Sequence, residues 1–162
     1  MSISFESLVH EADSINVKLE VINGIPVWEA SPVYKHQKEV SRIVASIQSS
    51  THIATRDTLF KFSQNSWKRP DIAILCAMPD PSTQESALEV IPAAVVEIIS
   101  KNYEYKDLVL APPFYLENGV LDILIFDPKD NSVLHYRRDF EQPNKYTSPV
   151  TLQLECGCEI TV

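Results

Sequence analysis

Apolar positions along the chain switch between helical and strand spacing, and the switches divide it into elements. In "SFESLVHEAD", Phe5, Leu8 and Val9 fall on one side of a predicted helix that Ser4 can cap. "NVKLEVINGIPVWEAS" gives two runs rich in branched residues around Asn23-Gly24, the pair that best tolerates positive φ in a tight hairpin turn. A second helix is predicted over "SPVYKHQKEVSRIVASIQSS", with Ser31 as cap and Pro32 at the first helical position, where its missing N–H costs nothing. Val33, Val40, Ile43, Val44 and Ile47 recur at helical spacing and mark its buried face.

Strand patterns follow: "HIATRDTLFKFS", "PDIAILC" and "AAVVEIIS", the last two separated by the irregular "AMPDPSTQESALEVIP". "LDILIFDP" and "SVLHYRRDF" read as a hairpin turning through "KDN", and "VTLQLECGCEITV" as a closing pair turning near Gly157. Between Ile99 and Gly119 a helix is expected to break or restart at Pro112 and Pro113, which remove two backbone donors. The order helix, hairpin, helix, strands, broken helix, strands predicts an α/β or α+β fold, a mixed β-sheet crossed by a strand–helix–strand connection.

At 162 residues, 44% of them hydrophobic, the chain is long enough for one domain with a real core and short for two, so a single domain over 1–162 is expected. No apolar run is long enough to span a bilayer, and the opening "MSISFESLVHEADSI" lacks the basic start and apolar stretch of a leader, which predicts a cytoplasmic protein. Three cysteines, Cys76, Cys156 and Cys158, argue against a secreted disulfide framework. Fourteen basic residues against twenty-two acidic ones give a net charge of −8, a field that repels polyphosphates at long range. A nucleic-acid role then requires local basic patches or bound cations.

Two acids stand where a buried strand is predicted. Alternation puts Asp71 on one face with Ala73 and Leu75, and Glu97 on one face with Val95 and Ile99. If the strands are neighbours, both carboxylates project toward one point. A buried carboxylate must pair with a cation, accept hydrogen bonds, protonate or bind metal. The plain alternative is structural ion pairing, Asp71 with Arg69 or Lys68 and Glu97 with Lys101 or Lys106. The sharper one is a divalent cation: hard oxygen ligands suit Mg²⁺ or Mn²⁺, which keep several waters and need only one or two protein carboxylates.

"RPD" opening one strand, "VVEIIS" in a second, then a helix leading to "YLENGVLDILIFDP", resembles the bacterial Uma2 family of restriction-endonuclease-like proteins within the PD-(D/E)XK nuclease superfamily. "LEVINGIPVWEASPVYKHQ" resembles that family's opening, and the likeness runs from about Val17 to Pro128. It implies a restriction-endonuclease-like fold, here with an N-terminal β-hairpin and extra C-terminal strands. It also implies a metal-dependent endonuclease hydrolysing phosphodiester bonds in DNA with Mg²⁺ or Mn²⁺. Asp71 and Glu97 would be the metal-binding acids, with the Ile98 carbonyl completing the shell. The family's lysine is absent from both places where the pattern holds it, which are Ile99 and Ala111 here, so Lys106 and Lys101 are the nearest candidates. That departure keeps open a second reading, a catalytically degraded nuclease fold serving as a binding or assembly module.

His36 shares a helical face with Val40 and Ile43 and is expected inside, and the family's His-Gln pair makes His36 and Gln37 candidate site-lining residues. Glu29, at the end of the hairpin, is a third candidate, while Glu20 and Asp107 match further acids of the pattern and rank below. Cys156 and Cys158 bracket Gly157, but a structural zinc site normally needs four ligands and looser pairing, so metal is not expected at that pair. The chain carries no nucleotide-cofactor fingerprint and no serine elbow, which excludes those classes. A homodimer, or another partner, is expected to supply the positive surface that DNA would need.

Overall fold

A computed structural model describes residues 4–29 and 31–162; the first three residues of the stretch read for a leader, and Ala30, lie outside the described residues. Helix α1 (Phe5–Ser14) begins at Ser4, whose hydroxyl accepts the Ser7 amide at 3.1 Å. Strands β1 (Lys18–Ile22) and β2 (Ile25–Glu29) form the predicted hairpin, with Asn23 at φ 50° and Gly24 at φ 81°, the positive pair that matches strand twist. Helix α2 (Tyr34–Ser46) starts later than the sequence pattern suggests. Its cap is Val33, which is 70% exposed, so Ser31 and Pro32 precede the helix and Val33 leaves the buried face. His36, Val40 and Ile43 do face inward.

The run "HIATRDTLFKFS" is two strands, not one. β3 (Ile53–Arg56) and β4 (Phe60–Ser63) belong to different sheets, and Asp57 at φ 51° turns the chain between them. β5 (Ser66–Lys68) follows, a strand too short to show a period in sequence. β6 (Ile72–Leu75) and β7 (Ala94–Ile98) are the two acid-bearing strands. A π-helical turn over Lys106–Leu110 then runs directly into α3 (Ala111–Glu117). The two prolines do not break the helix: helical backbone is continuous over 104–117, the Ala111 amide reaches back five residues to the Lys106 carbonyl, and Pro112 and Pro113 follow this wider turn in the first turn of α3. The chain closes with β8 (Asp122–Asp127), β9 (Ser132–Arg137), β10 (Asn144–Thr147), β11 (Thr151–Gln153) and β12 (Glu159–Thr161).

These strands make a four-stranded sheet in the order β2-β1-β5-β4, a six-stranded sheet in the order β10-β9-β8-β7-β6-β3, and the β11-β12 hairpin. The larger sheet is mixed: β7 and β8 run parallel across the crossover that contains α3, and its other neighbours are antiparallel. Alternation sorts its two faces. Ile72, Ile74, Val96 and Ile98 pack with Val40 and Ile43 of α2 and with the C-terminal hairpin. Ala73, Leu75 and Val95 pack on the opposite side with Phe114 and Tyr115 of α3. Each fully buried side chain of this size adds roughly 1.5–3 kcal/mol, so the two layers fix where the strand ends lie. α1 covers the smaller sheet through Val9, Ala12, Leu19 and Trp67.

Candidate active site

Register places the two acids opposite one another. Ile72 pairs with Val96 in the β6–β7 ladder, so Asp71 and Glu97 are the next position along it. Each carboxylate binds the other's strand: Asp71 Oδ2 accepts the Ile98 amide at 2.7 Å, and Glu97 Oε2 accepts the Asp71 amide at 3.2 Å. Glu97 is buried and its other oxygen accepts the Tyr115 hydroxyl at 2.6 Å. Burial, and then the repulsion of Asp71, Asp107 and Glu20, push the Glu97 carboxyl well above its ordinary range against the pull of Lys68. Asp71 is more open, and His36 Nε2 lies 3.1 Å from its Oδ2. Burial works against a charged His36, but Asp71 and the Ile98 carbonyl outweigh it and raise the imidazole's pKa.

Behind these acids lie further charged side chains that the hydrophobic pattern does not disclose. Lys68, on β5, is fully buried, with its ammonium 3.2 Å from Glu20 Oε2, 3.7 Å from Glu97 Oε1 and 5.1 Å from the centre of the Tyr115 ring. Glu20, on β1, is equally buried and accepts the Arg69 amide at 2.7 Å. Burial alone would push the Glu20 carboxyl up; Lys68, Lys106 and that amide together hold it below its usual range. Lys106 pairs with Glu29 and lies 3.6 Å from Glu20 and 3.5 Å from Asp107. Asp107 Oδ1 is buried and accepts no hydrogen bond, and burial first of all raises this carboxyl to about 6.

A cavity of about 180 Å³ opens on this cluster, lined among others by His36, Asp71, Ile98, Lys101, Lys106 and Asp107, with Glu29 at its edge. Asp71, Ile98, His36, Glu29 and Lys106 therefore share this lining, while Glu97 is buried outside it and joins them through its bond with the Asp71 amide. Lys101 lies in the lining on an exposed turn. Gln37 is not brought in: it is exposed one position beyond His36 and lies outside that lining, because a helix turns successive side chains by about 100°. Arg69 pairs with Asp13 of α1 rather than with Asp71. Lys68 and Glu20 are the residues whose weight sequence reasoning missed. Their signal was an acid inside the apolar run "KLEVI" and a lysine beside Trp67, both fully buried only because β1 and β5 are neighbours.

The donor set fits a hard divalent cation. Four carboxylates (Glu20, Glu29, Glu97 and Asp107) share two buried ammonium groups, Asp71 pairs with His36, and Asp107 Oδ1 is buried and accepts no hydrogen bond, with the Lys106 ammonium 3.5 Å away. Sites that shift several carboxylates upward in one cleft are candidates for function.

Comparison with known proteins agrees with this architecture. Residues 5–160 match the Uma2 family, described as "Putative restriction endonuclease", and the chain belongs to that family. A crystal structure described as "a putative nuclease belonging to DUF820" from Anabaena variabilis superposes with a TM-score of 0.69 at 18% identity, covering 93% of this chain and 88% of that one. The fold is thus that of a nuclease-like protein. No curated protein matches the chain. Among the described residues no helix is long and apolar enough to cross a membrane.

Proposed function

We propose that the protein is a metal-dependent endonuclease that hydrolyses phosphodiester bonds in DNA. The observation that carries this reading is the acid cluster beside a cavity: Asp71 and Glu97 meet at one strand end, and Asp107 Oδ1 is buried and accepts no hydrogen bond, with only the Lys106 ammonium 3.5 Å away. Asp71, Glu97 and the Ile98 carbonyl would hold Mg²⁺ or Mn²⁺. Bound there, the ion supplies a water of lowered pKa and screens charge on the phosphate. Around it, Tyr115 fixes the Glu97 carboxylate and His36 steadies Asp71. Lys106, in the lining, is the ammonium placed to orient the attacking water or to meet charge developing on the phosphate, and Lys101 stands further out. Lys68 works from behind, partly neutralising Glu20 and Glu97. The positive surface that a net charge of −8 denies the chain would have to come from local basic patches brought together in a homodimer, or from another partner.

The second reading, a degraded nuclease fold acting as a binding or assembly module, is favoured by Ile99 and Ala111 at the family's lysine positions and by the hold that Glu20, Glu29 and Asp107 have on Lys106. Calorimetric titration with Mn²⁺, followed by plasmid cleavage with the same samples, separates the two. Wild-type binding and cleavage, both abolished by Asp71→Ala, support the enzyme. Binding without cleavage supports the module. Unchanged uptake by Asp71→Ala defeats both metal readings.

A further inference from the structure

We propose that His52, Cys156 and Cys158 form a second metal site, one for a thiophilic cation, Zn²⁺ in the first instance. In sequence the Cys-Gly-Cys pair lacks ligands, and the fold supplies a third. The chain leaving α2 is bridged to β12, where the Gln48 amide donates to the Glu159 carbonyl at 2.9 Å and the Glu159 amide returns a bond at 3.2 Å. Just beyond this bridge Ser49 Oγ accepts the Thr51 and His52 amides, and the turn so formed carries His52 to the Cys156–Cys158 loop. One ligand atom from each of the three residues then lies within 4.8 Å of the other two.

That spacing is close to what a tetrahedral ion needs. With Zn–S near 2.3 Å and Zn–N near 2.0 Å, ligand atoms around zinc sit about 3.5–3.8 Å apart, so side-chain rotations of an ångström close the site. The imidazole is already oriented. Its Nδ1 meets the Ser49 hydroxyl at 2.9 Å and the Thr51 hydroxyl at 3.0 Å, which leaves Nε2 for the cation in the arrangement that fixes a ligating histidine's tautomer. Cys158 is wholly buried, while Cys156 and His52 are half-buried, so a fourth position faces solvent and would take a water or another donor. All three cysteines carry free thiols. Two thiolates and an imidazole select Zn²⁺ over the hard ions that suit Asp71 and Glu97, which makes the two sites chemically separable. The consequence would be mechanical: metal would clamp the C-terminal hairpin, and with it Leu152, Cys158 and Ile160 of the core, to the segment that follows α2.

Co²⁺ added to the fully reduced protein tests this, because thiolate ligation gives intense near-ultraviolet charge-transfer absorption that carboxylate ligation does not. The expected result is one equivalent of Co²⁺ with that absorption, displaced by Zn²⁺ and accompanied by a rise in Tm. Asp71→Ala and Cys76→Ser keep the band, Cys156→Ser abolishes it, and His52→Ala weakens it. Ser49→Ala combined with Thr51→Ala lowers affinity by roughly 10- to 100-fold. Should burial of Cys158 prevent Cys158→Ser from folding, Cys156→Ser and His52→Ala, at half-buried positions, carry the test. Absence of the band in the reduced wild type, or its persistence in Cys156→Ser, overturns the proposal.

Discussion

Two groups of carboxylate meet the same six-stranded sheet, and they are held in opposite ways. Asp122, on β8, is entirely buried and saturated: Oδ1 meets His135 Nε2 at 2.6 Å and the Arg137 guanidinium at 2.7 Å, and Oδ2 accepts the Glu155 amide at 2.7 Å. Burial pushes its carboxyl up, but these donors outweigh it and leave the pKa below the usual value. At Glu97 and Asp107 the balance tips the other way: both carboxyls are pushed up, and Asp107 Oδ1 accepts no hydrogen bond. A protein can bury an acid to tie strands together, and it then completes the acid's hydrogen bonds. An acid left short of donors at a cavity is where a further cation can be accommodated.

Breaking the saturated acid has the largest effect. Asp122→Ala leaves Arg137 and His135 without their partner and should lower unfolding stability by about 3–5 kcal/mol in urea titration, while Mn²⁺ uptake by the folded fraction stays as in wild type. Next is the lysine of the open cluster. If the enzyme reading holds, Lys106→Met should slow plasmid cleavage by about 100-fold with Mn²⁺ affinity within a few-fold, whereas equal losses of both would make Lys106 a structural cation.

The third change sharpens the contrast through pH. Asp107 titrates near 6 in the folded chain against an ordinary 3.8, so the folded state binds more protons in that window and stability falls as pH rises through it. Asp107→Asn should therefore stabilise the protein at pH 7 by on the order of 2 kcal/mol, an advantage that fades on acidification and is gone below pH 4. Asp122 has the opposite sign, since its depressed pKa contributes stability above the ordinary carboxylate range that is lost as pH falls through the folded value. Urea midpoints of Asp107→Asn between pH 4 and 7, and of Asp122→Ala on acidification below pH 4, read the difference.

Much of this was legible from residue pattern alone. Asn23-Gly24 announced the first hairpin, and alternation put Asp71 and Glu97 each on a face with small or branched residues, whereas the paired prolines pointed to a helix break that the wider turn before them replaces. What could not be read was pairing at long range. That Asp71 faces Glu97 depends on β6 joining β7, and that Lys68 is buried depends on β5 joining β1 through Val21 and Trp67. Three residues of β5 carry no usable period, so nothing in the pattern marks Trp67 and Lys68 as interior. The Ser31-Pro32 signal misled for a local reason: the chain remains extended to Val33, whose φ of −78° and ψ of 162° make it the true cap.

The wide turn over Lys106–Leu110 holds one residue more than a regular helix would, and it lies between the ammonium in the cavity and the phenol on Glu97. Excising a residue there would rewind the segment and swing Lys106 about 100° around the axis relative to Tyr115. The aromatic anchor would stay seated in the core while the charge pointed elsewhere. A single-codon deletion at this place would thus take the cation from the cavity and from Glu20 and Glu29 at once, which ties the register of this turn to the charge balance of the whole cluster.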